Sequence, residues 1–550
     1  MTRRYRDSEA VDFVVVGSGA AGGVMARELA QAGFDVVVLE QGPRYGAQDF
    51  EHDELKYWFR YGITNDPDRH PQSFRKTPQE AAVRRLPGGP LPATYARMVG
   101  GSTTHFTGNY WRFHEVDFHE RSLLGSIPGA ALEDWPISYA ELEPYYTKVD
   151  WEIGVSGLAG AHPNEPPRSR PYPMPPMPVK SSGVLLERGA RRLGLHPYPA
   201  PLAIASQPYR GRAGCIHCGF CMGFGCEARA KASTLYTMIP EAEATGRCEV
   251  RSESYAVRIP TDRRGRVTGV HYFDRERRER VQKARAVVVC ANGAETPRLL
   301  LMSASAAFPQ GLANSSGLVG RHLMFNQHGG AFGVFEHELN EYKSVQATRV
   351  VHDFYDSDPK RGFYGGGGID ARIGPNPAIW ALNGPPGRQW GKAYKEHLRA
   401  FPRTMLAAGH TTSLPVEANG VSLDPTLKDA WGLPAIRCTY RDHPDDLRFA
   451  AWLQDRTVEI LDAAGAQQVW RGPVEELEFG VHLLGTCRMG DDPRRSVIDR
   501  FHRAHDVPNL FLCDGSSFVT SGRGQPTMTI QALAFRAAEH IGAMARRHEI

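Results

Sequence analysis

The chain has 550 residues, 41% hydrophobic and 23% charged, which is longer than the roughly 250–300 residues one core serves, so two domains are expected. A net charge of +4 without a long Lys/Arg run argues against a nucleic-acid partner. No stretch of about 18 apolar residues occurs, which excludes a membrane-spanning helix.

Arg3-Arg4 opens like a twin-arginine signal, but the next apolar run, "FVVVG", belongs to the fold. No signal peptide is read in this chain. The expected location is cytoplasmic, or periplasmic if a signal-bearing partner subunit exports it.

"DFVVVGSGAAGGVMARELAQAGFDVVVLEQG" reads strand, turn, helix, strand. Phe13 to Val16 is a β-branched run, Ala20 to Gln31 is helical, and Gly33 ends the helix. Gly17, Gly19 and Gly22 form G-x-G-x-x-G. Gly17 permits the tight turn, Gly19 admits a pyrophosphate, and Gly22 packs helix on strand. The phosphate sits at the helix N-terminus. Glu40 ends the second strand, where an acid bonds ribose hydroxyls. The motif alone does not separate FAD from NAD.

Residues 162–180, "HPNEPPRSRPYPMPPMPVK", are proline-rich and read as an extended connector. Cys215, Cys218, Cys221 and Cys226 follow in C-x₂-C-x₂-C-x₄-C spacing. Ferredoxin-type runs have one residue fewer before the last cysteine. An iron–sulfur cluster, zinc, a disulfide and free thiols are the alternatives. Cys248, Cys290, Cys438, Cys487 and Cys513 are scattered and read as small buried hydrophobes. Residues 363–387, "FYGGGGIDARIGPNPAIWALNGPPG", read as loop-forming. Trp380, Trp390 and Tyr394 are aromatic enough to stack on a sugar, although such residues are more often core.

Three further segments carry a resemblance: "ARMVGGSTTHFTGNYWRF" from Ala96, "AVVVCANGAETPRLLLMS" from Ala286, and the C-terminal "HLLGTCRMG…NLFLCDGSSFVTSGRGQPTMTIQ" from His482. In this order, the chain resembles the glucose–methanol–choline oxidoreductases, FAD-dependent enzymes of alcohols and sugars. The implied fold is α/β (α+β), with a Rossmann-like FAD domain assembled from discontinuous segments. Those segments would be 8–60, 90–125, 225–330 and 475–550. Residues 126–224 and 331–474 would form a substrate domain on an antiparallel sheet, including the cysteine-rich loop 215–226.

The resemblance makes His482 the catalytic base and places Gln525 at the second catalytic position, where the family carries His or Asn. A base of pKa near 7 suits removal of a hydroxyl proton, and an amide orients the hydroxyl. It implies flavin contacts at Gly100, Gly101, Asn109, Ala291, Asp514, Pro526 and Thr527. His105 corresponds to a histidine that some members bond covalently to the flavin and others leave unlinked. The cysteines resemble a stretch in gluconate, glucose and glucoside 3-dehydrogenase relatives, some with a three-iron cluster. Cys215, Cys221 and Cys226 would then be ligands of a [3Fe-4S] cluster, with Cys218 spare or the fourth ligand of a [4Fe-4S] cluster. The implied function is a sugar or glycoside dehydrogenase acting at C3 or the anomeric carbon. Its implied partners are a small chaperone-like subunit and a cytochrome c or quinone acceptor. An oxygen-using oxidase with inert cysteines is the alternative.

Overall fold

Valine-rich segments build the first sheet because branched side chains pack well on a pleated surface. The computed structural model describes residues 4–340, 342–373, 376–382 and 390–550. The buried strand Val11–Val16 pairs in parallel with Val36–Leu39 on one side and with Glu279–Val289 on the other. Cys248–Arg251 extends this order beyond Val36–Leu39. Glu279–Val289 serves two further partners: its end pairs in parallel with Leu510–Leu512, and its start pairs antiparallel with Gly269–Phe273. The helix Ala20–Gln31 covers this sheet and packs on the C-terminal helix Thr527–Arg546. The strand–turn–helix–strand expectation is met, and the five scattered cysteines are all buried.

A second, six-stranded sheet is antiparallel between all its neighbouring strands. Its centre is formed by His328–Val334, Thr404–Thr411 and Gly367–Ile373. Successive side chains on a strand point to opposite faces. Ile369, Ala371, Met405 and Ala407 pack in a core with Phe449, Leu453 and Leu461 of the long helix Pro444–Ala464. The intervening Asp370, Arg372 and His410 are thereby turned to the other face. His328 stands directly opposite His410 in the register.

A third sheet of Gly420–Lys428, Pro434–Thr439, Gln72–Arg75 and Val83–Arg84 is absent from the sequence reading. Residues 363–387 need correction as well. They contain the central strand Gly367–Ile373 and the helix Pro377–Leu382; residues 374–375 and 383–387 lie outside the described residues. The glycines there serve close packing: a Cβ on Gly367 would come within 2.2 Å of the His410 carbonyl oxygen. Among the described residues, no helix is long and apolar enough to cross a membrane.

Candidate active site

A cavity of about 950 Å³ runs from the glycine turn at Gly17–Ala21 to His482 and Gln525. This is near the top of the usual range for small-molecule sites, ~300–1,000 Å³. It opens at the carboxyl ends of Val11–Val16 and Val36–Leu39, where doubly wound sheets bind ligands. Gly17, Gly19, Glu40, Gly101, His105, Ala291, His482, Asp514, Gln525, Pro526 and Thr527 all line it.

The cradle has the shape a dinucleotide needs. Gly17 has φ +94, and a Cβ there would lie 2.5 Å from the Cys290 carbonyl oxygen. A Cβ on Gly22 would lie 2.0 Å from the Gly17 carbonyl oxygen. Gly22 therefore presses helix onto turn rather than lining the cavity. Glu40 accepts from the Ser18 amide at 3.1 Å, the Ser18 hydroxyl at 2.7 Å and the Gly42 amide at 2.9 Å. Burial raises its pKa despite these bonds. Asp514 accepts from Thr296 Oγ1 at 2.6 Å and from the Ser516 amide at 2.7 Å, tying together two loops at the cavity. Thr527 begins the helix Thr527–Arg546, so a helix N-terminus meets the cavity. These residues fit FAD, which when bound accepts a hydride. Gly22→Ala is expected to purify with well under one FAD per chain by absorbance. A full complement would show that the helix can shift.

Two expected contacts lie off the cavity wall. Gly100 donates its amide to Ser18 Oγ at 3.0 Å and braces the glycine turn. Asn109 donates from Nδ2 to Asp370 Oδ2 at 2.9 Å. His105 lines the cavity and directs Nδ1 at its neighbour Ser102 O, 3.0 Å away. Burial, then Lys231, lowers its pKa to about 4, so the ring is neutral and Nε2 keeps its lone pair.

At the far end, His482 and Gln525 meet three residues that carry no sequence motif. His328, Arg372 and His410 line the same cavity. His410 Nε2 lies 3.0 Å from Asp370 Oδ2, and its Nδ1 lies 3.4 Å from Gln525 Nε2. Arg372 donates to Asp370 at 2.7 and 3.0 Å. The loop carrying Gln525 is anchored by Arg523, whose side chain is wholly buried between Asp117 and Glu120. Arg523 also donates from Nε to the Tyr355 carbonyl at 2.9 Å, while Tyr355 and Tyr364 donate hydroxyls to the two carboxylates. Of the proposed sugar stackers, Trp380 is buried on His397, and Trp390 is 83% exposed.

The cysteine loop abuts this cavity. Met222 and Gly223, following Cys221, line it, and the Gly223 amide donates to the His105 carbonyl at 2.8 Å. All four cysteines are free; burial, and then neighbouring thiols, raise the pKa of Cys215, Cys218 and Cys221. Burial pushes Cys221 to about 12. The buried Lys231 donates to the carbonyls of Phe106, Cys221 and Phe224 at 2.5–2.9 Å, placing a cation beneath the loop. Sulfur is the donor type an iron–sulfur cluster takes. A rival donor set exists: ligand atoms of His52, Cys218 and Glu227 lie within 4.8 Å of one another.

Comparison with known proteins shows the family. Residues 180–326 and 415–534 match the GMC oxidoreductase family, and residues 15–75 match an NAD(P)-binding Rossmann-like domain. The chain is 36% identical over 545 residues to 2-methyl-1,2-propanediol dehydrogenase of Mycolicibacterium austroafricanum, covering 97% of this chain and 95% of that protein. It is 29% identical to the gluconate 2-dehydrogenase flavoprotein of Pantoea cypripedii, covering 96% and 93%. Formate oxidase of Aspergillus oryzae RIB40 shares the fold, with TM-score 0.66 and 14% identity across 99% of this chain and 100% of that one. With a dinucleotide cradle at one end of the cavity and histidines at the other, the chain belongs to the GMC oxidoreductase family and is an FAD-dependent oxidoreductase acting on CH–OH groups.

Proposed function

We propose that this enzyme is a dehydrogenase of a sugar, glycoside or small polyol, delivering electrons to an external acceptor through an iron–sulfur cluster on Cys215, Cys218, Cys221 and Cys226. The observation that carries this reading is the shared wall: Met222 and Gly223 of the cysteine loop line the cavity that holds His482. Such a cluster, when bound, passes electrons singly. Ile216 and Tyr342 are exposed beside the loop and offer apolar contact to a cytochrome or quinone-linked acceptor. A small companion subunit remains part of this proposal.

The reacting end is polar, with His328, Arg372, His410, His482 and Gln525, which suits a substrate bearing several hydroxyls. Nearer the mouth, Leu382, Phe479 and Val481 are apolar and exposed. The dehydrogenase of 2-methyl-1,2-propanediol among the relatives supports a small diol beside the sugars. Anaerobic titration with sugars and diols, recorded in the visible range, tests the reading. Flavin bleaching with dye-linked turnover and little peroxide is expected. Peroxide formed at the turnover rate by iron-free protein would move the assignment to an oxidase.

The flavin is expected to be bonded through His105 Nε2, given the neutral ring on the cavity wall. After acid precipitation the pellet should fluoresce in wild type and not in His105→Ala. A colourless wild-type pellet refutes the bond and spares the enzyme assignment.

A further inference from the structure

The far end of the cavity holds a permanent positive charge that the oxidation of an alcohol does not by itself call for. Among the described residues lining the cavity, Arg372 is the one lysine or arginine. A guanidinium stays charged throughout the working pH range. His328, His410 and His482 line the same wall, and their pKa values all lie below the ordinary histidine value, chiefly through burial, with Arg372 adding to the effect. The three rings are therefore neutral near pH 7, and the positive charge at this end is that of Arg372.

Arg372 stands on the strand Gly367–Ile373, whose Ile369 and Ala371 pack in the core, so its side chain turns to the cavity face. Its counter-ion lies two residues earlier on that face. Asp370 is wholly buried and accepts from Arg372 Nε at 2.7 Å and Nη2 at 3.0 Å. Nη2 also lies 2.9 Å from His410 Nε2. Asp370 accepts in addition from Asn109 at 2.9 Å and faces His410 Nε2 at 3.0 Å. The ion pair is thus oriented. Its carboxylate is enclosed by protein donors, and its guanidinium is locked along one edge.

Nη1 is left over. Its two N–H groups have no hydrogen-bond partner among the described residues, while Nε and Nη2 are both engaged. A planar fork held by one edge and open at the other suits recognition of a carboxylate. The protein's own carboxylates on this wall are committed elsewhere. Glu40 and Asp514 brace the nucleotide cradle, and Glu295 accepts from Tyr95 and Arg298.

We infer that Arg372 determines specificity and that the preferred substrates are hydroxy acids of the sugar-acid type. The carboxylate is held at Arg372 Nη1 while a hydroxyl of the same molecule meets His482 and Gln525. One imidazole ring, that of His410, stands between Arg372 and the Gln525 amide, so both ends of a short chain fit. A neutral polyol offers Nη1 a hydroxyl oxygen. A carboxylate offers a full charge, and hydrogen bonds between ionised groups are roughly twice as strong as neutral ones. The inference rests on the alcohol-oxidising reading above and names the substrate class within it.

The test is anaerobic flavin reduction in stopped flow by matched pairs, each an acid and the alcohol in which CH₂OH replaces its carboxylate. The pairs are gluconate with glucitol, glycerate with glycerol, and methyl glucuronide with methyl glucoside, all at fixed ionic strength. With wild type, at least one acid should surpass its partner by about ten- to a hundredfold in limiting rate over apparent dissociation constant, the usual worth of a hydrogen bond to a charged group. Arg372→Gln should bring that ratio near one. Arg372→Lys keeps the charge without the fork and should retain part of it. A guanidinium that served only the flavin or only the fold would slow both members of a pair alike, so an unchanged ratio in Arg372→Gln overturns the inference. A wild type that prefers the alcohol in every reactive pair overturns it too and spares the alcohol reading. If Arg372→Gln does not fold, wild type decides alone: acetate should perturb the flavin spectrum and compete with substrate, and acetamide, of the same shape without the charge, should do neither at the same concentration. Equal effects of the two overturn the assignment. Reduction by no member of any pair removes the alcohol reading together with this one.

Discussion

His482→Ala is expected to keep its FAD and to reduce it at least about a hundredfold more slowly. Removing one preorganised donor from a developing oxyanion costs about 10²–10³ in rate, and losing a general base costs a similar factor. The effect is therefore large whichever way the proton travels. FAD should remain because Gly17–Ala21, Glu40, Asp514 and Thr527 line other parts of the cavity. Single-turnover reduction by substrate, with the flavin content measured alongside, checks both halves. A near-normal rate removes His482 from the chemistry. Gln525→Ala should slow reduction less, and Gln525→Asn should be close to neutral.

Cys221→Ser is expected to abolish turnover with the natural acceptor while sparing flavin reduction by substrate. Cys221 belongs to both the three-ligand and the four-ligand schemes, and a serine oxygen is a poor substitute for a soft sulfur donor. It is the most buried of the four, and its carbonyl is held by Lys231 at 2.5 Å. Serine preserves that backbone bond, so the loop should stay folded. A small dye that meets the flavin directly should retain part of its rate. Iron and acid-labile sulfide are measured first, on wild type made under anaerobic, iron-replete conditions. Their absence removes the cluster. Zinc at one per chain, lost in His52→Ala, would instead favour the His52, Cys218 and Glu227 set.

Local chemistry made the nucleotide end readable. The turn at Gly17, the helix Ala20–Gln31 and the acid Glu40 are neighbours in sequence, and each has a conformational reason to be there. His482 and Gln525 are legible only through the family's spacing pattern, and the cavity does bring them together. His410 and Asp370 were not legible. They lie on different strands, and their meeting depends on the register Gly368 opposite His410. That register is a long-range fact with no local signature. The four glycines Gly365–Gly368 suggested a loop for the same reason. Composition reports flexibility, whereas the native strand uses small residues to let Phe449, Tyr355 and His352 approach. The third sheet pairs Gln72–Arg75 with Pro434–Thr439, far apart in sequence and weakly patterned.

Ionic strength offers a way to separate parts of this enzyme. Dissolved salt screens exposed charges over about 8–10 Å but reaches buried ones much less. The Gln525 loop is pinned by Arg523, wholly enclosed with Asp117 and Glu120. The geometry at the reacting hydroxyl should therefore be indifferent to added salt. If steady-state turnover nevertheless changes between dilute and concentrated buffer, the sensitive event is an encounter at the surface, where a charged acceptor arrives.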